Sequence, residues 1–206
     1  VYTRCDMVVI VDDCSTDSTF AIASNFPVKT LRNSTNKGYE ISVVTGINHA
    51  FECGCDYVLT MDADLEHSIN FFHHSSWIDI VEPYQITVFS RKSVSRLSER
   101  ILSIITYFAF NIYDTTSGMK LYSKAVYPFF QRFRPIRDIL FFYTLAPLLF
   151  GFRIQSIPLP SPTYQRPSRY GISIKTDLAL LLNFLRTFVF TLYIRYSRFN
   201  LDLFIF

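Results

Sequence analysis

The chain has 206 residues, of which 50% are hydrophobic and 17% aromatic, and its formal net charge is +3. This length allows one sizeable domain with a core, and the lack of internal repeats and low-complexity segments argues against a solenoid or a disordered chain. The four cysteines form neither a CxxC pair nor a zinc-ligand spacing, so the sequence favours a reducing compartment over a disulfide scaffold.

The charge is distributed unevenly along the chain. Residues 1–114 contain 8 Lys or Arg and 14 Asp or Glu, a net charge of −6, whereas residues 115–206 contain 12 and 3, a net charge of +9. We interpret the acidic part as able to hold a metal ion. We interpret the basic, aromatic part as able to meet phosphates or an anionic membrane surface.

The first half of the sequence alternates predicted strands and helices. Apolar, β-branched runs predict four strands, at 6–11, 28–32, 56–61 and 85–90. Helix signals lie between them, namely possible capping residues at 15–17 and helical apolar spacing from Ile41 to Phe51. This alternation predicts an α/β fold with a doubly wound, mainly parallel sheet.

The second half is predicted to be mostly helical. Apolar residues at helical spacing from Leu97 to Ile112 predict an amphipathic helix. Segments 123–133 and 137–152 also look helical, the second interrupted by Pro147, and they are followed by a strand at 153–159 and a Pro-rich, basic loop at 160–171.

The last segment is nearly all apolar between Asp177 and Ile194. It predicts a C-terminal helix that lies at a membrane interface or begins a truncated membrane region. We therefore divide the chain into a domain of residues 1–175 and an apolar, membrane-associated helical unit of residues 176–206.

Carboxylates follow two of the predicted strands. Asp12 and Asp13 end the first strand, and Asp62 and Asp64 end the third. Because ligands bind at the carboxyl ends of strands in such sheets, we expect the two acidic loops to converge. Residues i and i+2 of an extended chain point the same way, so Asp62 and Asp64 can offer oxygens to one hard cation, Mg²⁺ or Mn²⁺. That cation would also carry a diphosphate.

Several ordered motifs resemble the family 2 glycosyltransferases, which have the GT-A fold. They are "VDDCSTDST", "NKGYEISVVTGINHAF" and "DYVLTMDADLEH". Two more, "FSRKSVSRLSERILS" and "DTTSGMKLYSKAV", resemble the branch of dolichol-phosphate mannose synthases and polyprenyl-phosphate sugar transferases. The resemblance covers residues 8–126 and, more loosely, 150–175. It implies a GT-A nucleotide-diphospho-sugar transferase sheet that lacks its first strand, because relatives open with a strand that this chain starts after; we expect an N-terminal truncation.

The resemblance also implies a donor site. Asp12 and Asp13 would contact the base and ribose of a nucleotide-diphosphate sugar, and Gly38 would bind the same substrate. The metal ligands would be Asp62, Asp64 and Glu66, with Asp62 and Asp64 bridging the metal and the diphosphate.

An acceptor site is implied by the later motifs. Arg91 follows the fourth strand, and Asp114, Ser117 and Lys120 match the segment near the acceptor. Asp114 would be a base or only an orienting group, and Asp64 and Asp114 are the two catalytic candidates. Lys120 would bind a lipid phosphate. The late basic loop matches the family imperfectly, and Arg166, Arg169 or Lys175 would substitute for its missing phosphate ligand.

The implied activity is metal-dependent, inverting transfer of a hexose to a polyprenyl phosphate, dolichyl or undecaprenyl. We expect it at the cytoplasmic face of a membrane, with the protein peripheral, or integral if the chain continues past residue 206. No nucleic-acid partner is expected. The sugar, the nucleotide base and the acceptor stay open.

Three alternatives remain at this point. The first is transfer to a glycan or a lipid-linked oligosaccharide, and the second is an inactive truncated remnant that acts as a membrane-associated binding module. The third is a phosphatase of the haloacid dehalogenase type, which also has a DxD after a buried strand. That fold wants Thr or Val where this chain has Glu66, and it carries the motif on its first strand.

Overall fold

The structure is a computed structural model, and it describes residues 5–64, 70–73, 77–91, 96–133, 141–159 and 174–202. The described strands are β1 (Val9–Asp12), β2 (Lys29–Arg32), β3 (Tyr57–Thr60), β4 (Ile86–Ser90), β5 (Lys120–Ser123) and β6 (Ile154–Pro158). The described α-helices are α1 (Thr19–Ser24), α2 (Tyr39–Glu52), α3 (Trp77–Val81), α4 (Leu97–Phe110), α5 (Tyr127–Arg132), α6 (Phe142–Leu149) and α7 (Ile174–Asp202). Short 3₁₀ helices cover Asn70–His73 and Lys124–Val126.

The strands form two sheets. Strands β1 and β2 pair in parallel, with Asp12 opposite Arg32 at their carboxyl ends. The second sheet has the order β3-β5-β4-β6, in which β4 and β6 are parallel and β5 runs antiparallel between β3 and β4. The predicted α/β class is confirmed. Strand β5 was not predicted, because the sequence predicts a turn at 114–118 and a helix at 123–133 with no strand between them.

The core lies against the centre of this second sheet. All five residues of β4 are buried, as expected for a strand with neighbours on both sides and layers on both faces. Aromatic rings from α5 and α6 fill one of these layers. Phe130 and Tyr143 are both buried, with ring centroids 4.3 Å apart. Aromatic pairs of this kind add to the free energy gained by burying their area, and they fix the two helices against β5 through Tyr122.

Helix α4 ends two residues before the predicted boundary. Asn111 adopts a left-handed conformation with φ of 57°, and its N–H donates to the carbonyl of Tyr107 at 2.8 Å. Asparagine accepts this conformation more readily than most residues, so it stops the helix at Phe110. Ile112, which we had placed on the same helical face, is instead buried beyond the helix end.

Helix α7 packs along α4 and α6. Near the start of both helices, the hydroxyl of Ser98 donates to Asp177 Oδ1 at 2.6 Å. Near the end of α4, the rings of Phe110 and Phe188 are 6.3 Å apart. These two contacts mean that α4 and α7 run in the same direction. The division at residue 175 stays a prediction, although α7 has side-chain contacts with the preceding domain.

Candidate active site

Asp12 closes the end of the small sheet. Its carboxylate is fully buried and lies 3.2 Å from Nε of Arg32, which stands opposite it in β2. The N–H of Ser15 also donates to this carboxylate, at 3.3 Å. The structure therefore places the predicted nucleotide ligand Asp12 in contacts that fix the loop after β1.

Asp13 organises the start of α2. It accepts hydrogen bonds from the backbone N–H groups of Lys37 at 2.8 Å and Gly38 at 2.7 Å, and from the side-chain amide of Asn33 at 2.7 Å. These donors hold the pKa of the Asp13 carboxyl below its ordinary value, with the Lys37 N–H as the largest cause. Gly38 has a φ of +88°, which glycine adopts without strain, so this turn can bring both N–H groups to one carboxylate.

Tyr39, which follows Gly38 in the chain, lies close to the second acidic loop. Although 38% of the residue is exposed, burial raises the pKa of its hydroxyl well above the ordinary value, and the carboxylates of Asp62 and Asp64 contribute in the same direction. The backbone of residues 37 and 38 thus faces Asp13 while the next side chain faces Asp62. The two acidic strand ends lie on either side of one three-residue segment.

Gly118 packs directly against the carboxylate of Asp62. A Cβ atom added at Gly118 would come within 2.7 Å of Asp62 Cγ, a separation that real side chains do not tolerate. The hydroxyl of Thr60, at the end of β3, donates to the carbonyl of Gly118 at 2.8 Å. This contact holds the carboxylate against a turn that comes from the predicted acceptor segment.

That turn is built around Asp114, which is completely buried and has a φ of 53°. Arg91 donates to it three times, from its backbone N and from Nε to Oδ2, and from Nη2 to Oδ1, each at 2.9 Å. A charge-assisted, bidentate pair of this kind is among the stronger protein hydrogen-bond arrangements. Both oxygens of Asp114 are therefore engaged, and Arg91 is held at the carboxyl end of β4.

Ser117 and Lys120 complete the turn from inside. The hydroxyl of Ser117 donates to the carbonyl of Phe89 at 2.6 Å and accepts from the N–H of Met119 at 3.3 Å. Lys120 is only 2% exposed and lies in β5, opposite Thr60 on one side and Val88 on the other. The predicted acceptor residues are brought together with Asp62 and Arg91, but Ser117 and Lys120 lie beneath the turn and not on its surface.

Three predicted ligands, Glu66, Arg166 and Arg169, lie outside the described residues. Within the described part of the chain, no three His, Cys, Asp or Glu side chains form a group that could hold a metal. The donor chemistry still fits a hard cation, because Asp62 is seated in a gap that any side chain at Gly118 would fill, and Asp64 lies two residues away. Two carboxylates suffice for Mg²⁺ when substrate phosphates complete its ligands.

Three residues of the site, Tyr39, Thr60 and Glu99, were not predicted from the sequence. Glu99 lies close to Arg91, with 3.7 Å between Glu99 Oε2 and Arg91 Nη2. A signal for Glu99 was present, since it is the third residue of α4 and glutamate at this position often reaches back to the helix start. No signal could have found Thr60, because its partners are 58 and 60 residues away in the chain.

An apolar surface lies on α4 and α7. Helix α4 buries three polar residues and one leucine, namely Ser98, Leu102, Ser103 and Thr106. Its exposed residues include Leu97, Ile101, Ile104 and Ile105, and Phe108 is 83% exposed. We call these exposed residues of α4 the outer face. In α7, the segment Ile174–Ser197 is long and apolar enough to cross a membrane, with mean hydropathy 1.5, and Leu178, Leu182 and Leu185 on it are exposed. The described residues contain one such helix.

Comparison with known proteins gives relatives for this arrangement. Residues 6–75 match the family model for glycosyl transferase family 2. Over 152 residues the chain is 28% identical to the UDP-N-acetylglucosamine–dolichyl-phosphate N-acetylglucosaminyltransferase of Methanococcus voltae, covering 58% of this chain and 59% of that protein. Over 64 residues it is 38% identical to the dolichol-phosphate mannosyltransferase of Pyrococcus furiosus, covering 29% of this chain and 17% of that protein. The chain thus spans only part of the length of either relative.

Solved structures show the fold. Glucosyl-3-phosphoglycerate synthase from Mycobacterium tuberculosis, with Mn²⁺, UDP-glucose and phosphoglyceric acid, superposes with a TM-score of 0.61 at 14% identity, covering 90% of this chain and 68% of that one. TarS of S. aureus with UDP gives a TM-score of 0.53 at 17% identity, covering 87% and 61%. The chain has the GT-A fold that the motifs predicted.

Proposed function

Because residues 6–75 match the family model for glycosyl transferase family 2, we propose that this chain transfers a hexose from a nucleotide-diphosphate sugar to a polyprenyl phosphate. One observation carries the proposal. The carboxylate of Asp62 packs directly against Gly118. The acidic end of β3 is therefore adjacent to the turn that binds Arg91. A donor diphosphate and an acceptor phosphate bound to these two elements would be neighbours.

The donor side is assigned to the two acidic loops. Asp13 would hold the segment 37–38 as one wall of the nucleotide site, and Asp12 would fix the loop beneath it. Asp62 and Asp64, with Glu66, would hold a divalent ion, Mg²⁺ or Mn²⁺. The synthase from M. tuberculosis binds Mn²⁺ and UDP-glucose on the same fold, which supports this assignment. When bound, the ion would neutralise charge on the departing nucleoside diphosphate.

The acceptor side is assigned to Arg91 and the late basic loop. An oxygen of the acceptor phosphate attacks the anomeric carbon, the bond from that carbon to the diphosphate oxygen breaks, and its electron pair leaves with the nucleoside diphosphate. The configuration at the carbon inverts. The attacking oxygen is already anionic, so no strong base is required. Asp114, buried with both oxygens bound, therefore orients Arg91 and does not take a proton.

A membrane would supply the acceptor. Two relatives act on dolichyl phosphate or dolichol phosphate by name. The outer face of α4 and the exposed leucines of α7 offer hydrocarbon contacts, while residues 115–206 carry a net charge of +9 that suits anionic lipid. We place the protein at the cytoplasmic face of a membrane. The acidic and basic parts of the chain would then serve the metal-bound donor and the lipid phosphate.

The test is a transfer assay. Membranes from cells that express the protein are incubated with labelled UDP- and GDP-hexoses and Mg²⁺ or Mn²⁺, and the lipid extract is counted. We expect label in lipid from one donor, and Asp64→Ala should lower the rate by roughly a hundredfold or more. Asp56→Ala is the matched control, because the Asp56 side chain is exposed and its carboxylate lies 4.0 Å from Nζ of Lys124.

Each other outcome has its own meaning. Unchanged transfer by Asp64→Ala would overturn the metal assignment. Label in glycan and not in lipid would overturn the polyprenyl acceptor alone and favour a glycan or lipid-linked oligosaccharide. No transfer from any donor would favour the membrane-associated binding module.

A further inference from the structure

Glu99 is a largely buried carboxylate that the mechanism above does not use. It stands at the third position of α4, and its side chain is 13% exposed. Its Oε2 atom has no hydrogen-bond partner among the described residues. A carboxylate oxygen without a donor is costly to bury, so the position of Oε2 beside Arg91 requires an explanation.

The explanation begins with the acceptors around one nitrogen of Arg91. Nη2 lies 2.9 Å from Asp114 Oδ1, 3.0 Å from Thr116 Oγ1 and 3.7 Å from Glu99 Oε2. This nitrogen carries two hydrogens, and the two nearer acceptors lie at hydrogen-bond distance for both. One guanidinium therefore stands between two carboxylates. Asp114 is hydrogen-bonded to it, whereas Oε2 of Glu99 lies beyond hydrogen-bond distance of Nη2.

We propose that Glu99 is a positioning residue that acts through Arg91 and sets how strongly this guanidinium attracts a substrate phosphate. When Glu99 is ionised, its charge offsets the positive charge of Arg91, and phosphate binds weakly. When Glu99 is protonated, this offset is lost, and phosphate binds more tightly. Phosphate binding then takes up one proton from solvent onto Glu99. This inference rests on the proposed function, because it requires that Arg91 meets a phosphate.

The charges that face Glu99 are consistent with this role. Burial raises the pKa of Glu99, Arg91 lowers it, Asp114 raises it and Arg96 lowers it. From α7, Asp177 is bound to Ser98, the neighbour of Glu99 in α4. An arriving anion would raise the pKa further, so affinity for phosphate should fall as the pH rises through the Glu99 titration.

Glu99 also has a simpler role at the helix start. Its carboxylate interacts with the backbone N–H of Arg96, which is the reciprocal half of a capping box. Glutamine performs this capping equally well and has nearly the same volume, but it carries no charge. Glu99→Gln therefore removes the charge and retains the cap, whereas Glu99→Ala removes both.

The experiment measures phosphate affinity against pH in the full chain. Binding of inorganic pyrophosphate and the KM for the acceptor phosphate are followed from pH 5 to 9 in the natural protein, Glu99→Gln and Glu99→Ala. Glu82→Gln, on an exposed residue, is the matched control. Pyrophosphate itself ionises in this range, so each affinity is compared with that of Glu99→Gln at the same pH. We expect the natural protein and Glu82→Gln to lose about three- to tenfold in affinity relative to Glu99→Gln as the pH rises, with kcat changed less than KM.

A spectroscopic measurement separates this inference from the proposed function. The ¹⁵N resonance of Arg91 Nε should shift with pH in the natural protein and stay constant in Glu99→Gln, whether or not sugar is transferred. The same pH dependence of affinity in both proteins, or an Arg91 resonance that does not respond to Glu99, would overturn the inference. Failure of transfer with a responsive resonance would overturn the proposed function alone.

Discussion

Single atoms decide the geometry of the candidate site, and Gly118 shows this most directly. Its φ lies outside the left-handed region, so an alanine there would meet no backbone strain. The cost of a side chain would come from Asp62, whose Cγ would be 2.7 Å from the new Cβ. Glycine is therefore required by its neighbour across the site and not by its own conformation.

We expect Gly118→Ala to lower the free energy of unfolding by about 1–3 kcal/mol in the natural background, as overpacking usually does. In an Asp62→Ala background the clash is gone, so the same substitution should cost almost nothing. Urea unfolding of the four proteins in this double-mutant cycle measures the difference. Equal costs in the two backgrounds would show that Asp62 does not rest on Gly118.

The sequence could identify many of these residues but not their contacts. Asp12, Asp13, Asp62 and Asp64 were found because each follows a buried apolar run. The ion pair between Asp12 and Arg32 depends on the register of β1 and β2, and no local sequence pattern specifies that register. Glu99 escaped for a related reason, since its charge matters only once α4 lies beside Arg91.

At the scale of elements, α4 is the helix whose apolar periodicity does not match its buried side. The spacing from Leu97 to Ile112 predicted a helix and an apolar stripe correctly, but such a stripe normally faces the core. Here the stripe faces outward. The inner side of α4 carries Ser98, which donates a hydrogen bond to Asp177, and the buried Thr106. A short strand such as β5 was missed for a different reason, because four residues of mixed polarity do not establish a period.

We expect the outer face of α4 to bind membranes. The double substitution Ile104→Gln and Phe108→Gln should weaken binding to vesicles of phosphatidylcholine and phosphatidylglycerol by about ten- to a hundredfold, from lost apolar burial. It should not lower the melting temperature, since both residues are exposed. Sedimentation with vesicles measures the binding, and Ile80→Gln, on an exposed residue of α3, is the control. Unchanged sedimentation, or a clear loss of stability, would contradict a membrane role for this face.

At the scale of the whole molecule, the question is how α7 relates to the domain before it. Phe184 packs 5.3 Å from Phe141 and joins the cluster around Val88 and Leu145. Long apolar character predicted this helix and even its approximate span, but sequence composition could not say whether it packs on α4 and α6 or stands apart.

We expect Phe184→Ala to lower the free energy of unfolding of the whole chain by about 1–3 kcal/mol, somewhat less than for a fully buried ring. Leu185→Ala, on the exposed neighbour, should change it by less than about 0.5 kcal/mol. Thermal and urea unfolding in detergent compare the two. If Phe184→Ala and Leu185→Ala had the same free energy of unfolding, α7 would be an independent unit, as the division at residue 175 proposes.

The antiparallel placement of β5 also has a consequence for synthesis of the chain on the ribosome. Thr60 ends β3, yet the strand that pairs with it begins at Lys120, 60 residues later. At usual translation speeds, β3 must wait roughly 3–12 s after leaving the exit tunnel before that neighbour emerges. Throughout this interval Asp62 lacks its contact with Gly118, and the edge of β3 that pairs with β5 is unpaired. A nascent chain stalled before residue 120 should therefore bind chaperones early.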